Sequence, residues 1–230
     1  MSRTLRDWFC LIDQESGHEG IQLRWSEDVL AEFVYHLRKK NPSASEEETG
    51  GLRRRIEKTC PEALIANYLI REDHLQSGRD KFDAHVVAAA EHGGVDYLVT
   101  DNVKDFQPFA DDYEFEIYTA DEMLCLINER RPDVIRTVIQ RQLPYWAKRP
   151  NSKSLYEALE AAQALDFAEK VKISSGDWPC WENIEGRRCQ QRNQARSLRE
   201  VRKPSSSQYR SEVGGFHHFP AQNILTRRSA

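Results

Sequence analysis

The hydrophobic and polar positions of this chain change period several times, and each change marks an element. Residues 2–16 carry Leu5, Trp8, Phe9 and Ile12 at helical spacing, so this segment reads as an amphipathic helix that Gly17 and Gly20 break. Ile21 to Trp25 alternates as a short strand. Ser26 then caps a helix whose first turn holds Glu27 and Asp28, where the helix macrodipole favours acids. A further helix is predicted from Ser45 to Lys58. Between Asp80 and Phe106 the pattern gives a helix over the apolar run Val86 to Ala90, a stop at Gly93-Gly94, and a buried strand Tyr97-Leu98-Val99 ending at Thr100-Asp101-Asn102. One more strand, Glu116 to Thr119, leads into a helix opened by Thr119 or Asp121. From Ala120 to about Ile173 the period is helical throughout, with Pro132 at a first helical position and Pro150-Asn-Ser as the last break.

Beyond Ser174 the periodicity disappears and Ser, Gln, Arg and Asn dominate. The expected organisation is therefore an α/β domain over 1–119, a helical extension over 120–174, and a polar, disordered tail over 175–230. The tail is also expected to be dispensable for folding.

Composition narrows the class. The chain has 230 residues, 39% hydrophobic and 30% charged, which suits a soluble protein with a polar appendage. No apolar run approaches the ~20 residues of a membrane span, and the N-terminus lacks a signal-peptide core. A cytoplasmic protein with no membrane attachment is expected. The five cysteines, Cys10, Cys60, Cys125, Cys180 and Cys189, are scattered without a C-x-x-C pair, which argues for reduced thiols and against a disulfide framework or zinc site. The net charge of −4 divides unequally, with −9 on residues 1–175 and +5 on the remainder. An acidic body is a poor binder of nucleic acid by charge alone, but it suits a pocket whose carboxylates await divalent cations.

The candidate chemistry lies at the ends of the Asp80–Phe106 unit. In an open α/β sheet, sites form beyond the carboxyl ends of the strands, which is where Thr100, Asp101, Asn102 and Asp105 fall. Asp83, at the start of the preceding helix, reaches the same edge if that helix runs antiparallel to the strand. The ordered set Asp83-Ala-His-Val-Val-Ala-Ala-Ala90, a glycine turn, then Leu98-Val-Thr-Asp-Asn102-Val-Lys-Asp105-Phe106 resembles the C-terminal half of a PIN-domain nuclease, the fold of the VapC toxins of toxin–antitoxin pairs. A weaker likeness, resting on helical periodicity and on Arg149-Pro150 and Phe167-Ala168, extends to the helical extension behind some VapC-type catalytic domains.

The resemblance implies a three-layer α/β/α architecture around a parallel sheet. It also implies an acidic cluster that holds Mg²⁺ or Mn²⁺ and hydrolyses RNA phosphodiester bonds. Asp83 matches the family's third acid in D-x-x-x-x-A-x-A, with a plain helix N-cap as its other reading. Glu32 matches the second acid, Asp80 an additional one, and Asp101, Asn102 and Asp105 compete for the fourth position against the reading of a strand-end turn. Asp83, Glu32 and Asp105 are the expected catalytic residues; Asp83, Glu32, Asp80, Asp101 and Asn102 are the expected metal ligands. Arg3, Arg6 and Thr100 are the expected substrate contacts, although the two arginines also read as a solvated helix face. His85 and His92 tempt as acid–base groups, but His85 reads better as a packed or hydrogen-bonded histidine. Expected partners are an RNA substrate, tRNA included, a cognate antitoxin, and a second copy in a homodimer. PIN domains open with a strand carrying Asp-x-Asn, whereas this chain starts at Met1-Ser2. The first strand and its acid are thus expected to be missing and activity impaired, to be restored by an upstream strand bearing them. The alternative function is an inactive PIN remnant that binds an antitoxin or dimerises.

Overall fold

The computed structural model describes residues 2–17, 20–75, 81–147, 153–176 and 224–228. It is a mixed α/β structure, mostly helical, built on a small sheet. Helix α1 (Arg3–Ser16) starts at Ser2, whose hydroxyl accepts the Leu5 N–H, and buries the predicted stripe Leu5, Trp8, Phe9 and Ile12. It ends where Gly17 takes a positive φ of 65°, a conformation that costs other residues a Cβ clash.

Strand β1 (Ile21–Ser26) runs directly into α2 (Glu27–Lys40) through the fully buried Ser26, which accepts the Val29 N–H. Helix α3 (Glu46–Thr59) opens with a capping box in which Ser45 and Glu48 satisfy each other's backbone N–H groups. The two-residue strand β2 (Leu64–Ile65) and a 3₁₀ turn at Glu72–Leu75 follow.

Helix α4 (Ala84–His92) is an alanine- and valine-rich element buried over most of its length. Gly93 and Gly94, the latter at φ 53°, turn the chain back into β3 (Tyr97–Val99), every residue of which is buried. The short helix α5 (Val103–Phe106) and β4 (Glu116–Tyr118) complete this half.

Thr119 then caps α6 (Ala120–Arg130) with a second capping box, and α7 (Pro132–Ala147) begins on the expected Pro132. The segment from Ser154 to Lys172, which reads as one helix in the sequence, is two. Helix α8 (Leu155–Glu160) stops in a turn that puts Gln163 at φ 66°, and α9 (Leu165–Gly176) starts afresh. The Asp121 carboxylate of α6 takes the N–H groups of Asp166 and Phe167, serving as the cap that α9 lacks from its own segment.

The helices of 120–174 share one apolar core with the preceding residues. Trp8 packs edge-on against Phe167 at 5.0 Å, and Leu124, Val138 and Leu159 belong to the same buried cluster as Val86 and Leu98. Helix α1 lies against both β1 and α7. No helix among the described residues is long and apolar enough to cross a membrane.

The sheet order is β2-β1-β5-β3-β4, where β5 is Ile224–Arg228. The pairs β1–β2 and β3–β4 are parallel, as expected, but β5 lies antiparallel between β1 and β3. This departs from an all-parallel sheet. It also brings five residues of the expected tail into the centre of the fold; the rest of 177–230 lies outside the described residues. The physical reason is the ladder itself: β1 and β3 each present a row of N–H and C=O groups in the middle of the sheet, and β5 satisfies both rows at once.

Candidate functional site

Three backbone features converge beyond the carboxyl ends of β1 and β3. Because Gly93-Gly94 reverses the chain, α4 runs back against β3, so its first residues return to the edge at which β3 ends. Thr100 is almost fully buried there. Its N–H donates to the Tyr118 carbonyl at 2.9 Å, extending the β3–β4 ladder by one step, and its hydroxyl accepts the Asn102 N–H at 3.0 Å. That second bond makes a tight turn and aims the Asn102 side chain across the edge.

The Asn102 amide is the hub of the site. Its Nδ2 donates to the Asp83 carboxylate at 3.2 Å and to the Asp105 carboxylate at 2.5 Å. Asp83 immediately precedes α4, yet its side chain makes no cap hydrogen bond to that helix. The simple N-cap reading of Asp83 is thereby corrected, since a backbone near φ −90°, ψ −3° turns the carboxylate away from the first N–H groups and toward Asn102. Asp105 stands in α5, exposed, with its backbone N–H on the Asn102 carbonyl.

Glu32 arrives from α2 and meets α4 at His85, with 3.6 Å between His85 Nε2 and Glu32 Oε1. The other ring nitrogen of His85 lies 2.7 Å from the Phe82 carbonyl and therefore carries the proton in the neutral ring. Nε2 is then an acceptor; it is buried and has no hydrogen-bond partner. His85 is thus a ring fixed from one side and facing a carboxylate on the other. His92 is exposed at the far end of α4.

One turn earlier on α2, Asp28 accepts a hydrogen bond from the Tyr68 hydroxyl. Burial, then this bond, then the charges of Asp28 and Glu32 push the Tyr68 hydroxyl up to about 12, so it stays a donor across the whole working range of pH. Glu27 pairs with Arg53 of α3. Both first-turn acids of α2 are therefore engaged with neighbouring elements, in addition to complementing the helix dipole.

The remaining predicted residues distribute as follows. Asp101 is exposed at the end of β3. Asp80 lies outside the described residues. Arg6 is largely covered, pairs with Asp7 at 2.6 Å and lies over the ring of Phe33, the neighbour of Glu32. Arg3 is exposed, with Asp7 at 3.7 Å. Among the described residues no three of His, Cys, Asp and Glu converge as a metal-holding group; the acids stand as the pair Asp83 and Asp105 around Asn102, and Glu32 beside His85.

Sequence reasoning missed Tyr68. It sits in an irregular stretch with no periodicity, and only the proximity of β2 to β1 carries it to Asp28. The site can do two things chemically. Its oxygens are hard donors suited to a divalent cation, and its acidic face would repel a phosphodiester unless a cation intervened. No protein-family model, curated protein or solved structure matches the chain.

Proposed function

We propose that the chain is a PIN-type endoribonuclease similar to the VapC toxins, dependent on Mg²⁺ or Mn²⁺, with the described strands and helices forming the three-layer α/β/α frame of that fold. The observation that supports this most is the bridge of Asn102 between Asp83 and Asp105 at a strand-end edge. The NH₂ group donates one hydrogen bond to each of two carboxylates; the start of α5 brings Asp105 to it, but no local turn requires Asp83, 19 residues away, to be there too.

Mg²⁺ or Mn²⁺ fits this donor set, because such ions take one or two carboxylates and retain waters. Asp83, Asp105 and Asn102 would hold it, with Glu32 acting from the α2 side. When bound, the ion supplies charge neutralisation at the scissile phosphate and makes water more acidic. The chain's own groups do the rest. Thr100 fixes the Asn102 turn, Glu32 offers an acceptor for a proton of the attacking water with the His85 ring behind it, and Arg6 offers positive charge beside Phe33. With few carboxylates converging, cation binding and cleavage are expected to be weak. A cognate antitoxin and a second copy are the proposed protein partners, and RNA, tRNA included, the substrate.

A second reading is an inactive PIN-like module that binds an antitoxin or dimerises. It is favoured by the same bridge, which gives each carboxylate a hydrogen-bond donor without an ion. Incubating the full chain with total RNA and with tRNA in Mn²⁺, Mg²⁺ or EDTA separates the two. Cleavage that needs the ion and falls at least tenfold in Asp83→Asn supports the nuclease. Absence of cleavage and of Mn²⁺ binding in calorimetry overturns it and leaves the binding module.

A further inference from the structure

Helix α2 changes chemistry along one face. Asp28, Glu32, Tyr35 and Lys39 recur at alternating steps of four and three residues, so they stand one above another along the helix. The two acids at the start of this stripe are engaged around the site, Asp28 with Tyr68 and Glu32 beside His85. Tyr35 follows, with 60% of its surface exposed. Its ring is nonetheless held, because the His36 ring meets it edge-on at 5.2 Å and the Lys39 ammonium lies 6.0 Å from its centroid. Lys39 and its neighbour Lys40 then end the helix, both exposed.

These two lysines differ from the cations on the neighbouring helix. Arg53, Arg54 and Arg55 of α3 are each paired with glutamates. Arg38 is committed to the Ala44 carbonyl and the Thr49 hydroxyl, which ties α2 to α3. Lys39 and Lys40 have no carboxylate within ion-pair distance among the described residues. The helix dipole favours basic residues in a last turn, but it does not call for a large ring left in water one turn before them. An immobilised, exposed aromatic ring beside unpaired ammonium groups suits single-stranded nucleic acid, whose bases stack on the ring while its phosphates meet the cations.

We propose that this stripe of α2 is the track on which single-stranded RNA reaches the site, with one base stacked on Tyr35 and backbone phosphates at Lys39 and Lys40, which rests on the reading of the site as RNA-directed. Glu32 and Lys39 are about 10 Å apart along the axis at 1.5 Å per residue. At the ~3.4 Å step of a stacked strand, that distance is roughly three nucleotides. A strand anchored on the lysines therefore brings a phosphodiester to the acidic end of the stripe, where a cation offsets the repulsion. A duplex does not fit the track, since its stacked bases offer no free face to Tyr35.

The full chain is titrated into a fluorescein-labelled single-stranded RNA about ten nucleotides long and binding is read by anisotropy in EDTA over a range of salt. Tyr35→Ala is expected to weaken binding about tenfold, and Tyr35→Phe, which keeps the stacking face, to retain it. The double variant Lys39→Ala with Lys40→Ala is expected to lower the slope of log affinity against log salt by about 1.4, from two phosphate contacts at ~0.7 each. Arg54→Ala removes a charge that is already paired and should leave the slope unaltered. All these positions are exposed, and unchanged melting temperatures verify the fold of each variant. In Mn²⁺ the stripe variants should raise KM for RNA cleavage and leave kcat unchanged. Binding that the stripe variants weaken, without any cleavage in Mn²⁺, upholds the track and overturns the nuclease. Cleavage whose KM the stripe variants do not alter overturns the track alone. The track is likewise overturned if the chain binds no RNA, if Tyr35→Ala binds as the wild type does, or if Arg54→Ala lowers the salt slope as much as the lysine pair.

Discussion

The side-chain amide of Asn102 reaches back 19 residues to the Asp83 carboxylate at 3.2 Å, joining the end of β3 to the start of α4. A donor in that position offsets the repulsion between Asp83 and Asp105. Asn102→Asp would replace the donor with a third carboxylate. In EDTA the variant is expected to melt about 2–5 °C lower than the wild type. In Mn²⁺ the loss should be recovered, with affinity for the ion raised roughly tenfold by the added charge. Thermal scans with and without Mn²⁺ check both; a variant equally stable in EDTA would show that the two acids do not oppose each other.

Trp8 is fully buried against Phe167, and its indole N–H has no hydrogen-bond partner. Trp8→Ala is expected to cost ~3–5 kcal/mol, from a large cavity between α1 and α9. Trp8→Phe should cost far less, about 1 kcal/mol, because the smaller ring removes an unsatisfied donor while leaving a modest void. Urea unfolding of the two variants measures the difference.

The α3 capping box predicts a pH signature. Backbone and side-chain hydrogen bonds from Ser45 hold the Glu48 carboxyl below its ordinary 4.5. A carboxyl depressed on folding contributes stability that is complete above its unfolded value and is lost as the pH falls through the lower folded value. Melting temperature should therefore decline from about pH 4.5 downward. Glu48→Gln keeps an acceptor at the same place without a titrating group, so its acid decline is expected to be shallower. Parallel curves for the two proteins would contradict the assignment.

Strand β5 should be required for the fold. Leu225 pairs with Arg24 on one side and with Leu98 on the other. Leu225→Pro removes an N–H from the centre of the sheet and is expected to cost ~3 kcal/mol or more. A chain ending at residue 222 should lose its cooperative thermal transition. If that shorter chain melts as the full chain does, the tail is dispensable as its composition suggests.

Much of this architecture is legible in the sequence because short-range rules govern it. The α1 stripe, the Ser26 cap, the Gly93-Gly94 reversal and the Thr119 capping box are each settled within a few residues. The approach of Asp83 to Asn102 is legible for the same reason, since one helix, one turn and one strand fix it. Glu32 beside His85 and Tyr68 beside Asp28 are contacts between distant segments, and no local pattern sets their distances. The break at Gln163 was hidden because Ala161, Ala162 and Ala164 favour helix; the Asp121 carboxylate, from another helix, supplies the start of α9 instead. β5 is not legible because Ile224-Leu-Thr is too short an apolar run to stand out from a polar tail.

The position of β5 also bears on the order in which the chain acquires its structure. Leu225 is 127 residues from its partner Leu98 and 201 from Arg24, so the sheet's two halves are joined by its most sequence-distant pairings. Closing loops of that length costs entropy before any ladder bond repays it. The parallel pairs β1–β2 and β3–β4, each formed across a much shorter separation, would assemble first and wait with open inner edges. Until β5 arrives, each edge is a template for another chain's strand, and high protein concentration during refolding should divert molecules into aggregates by that route.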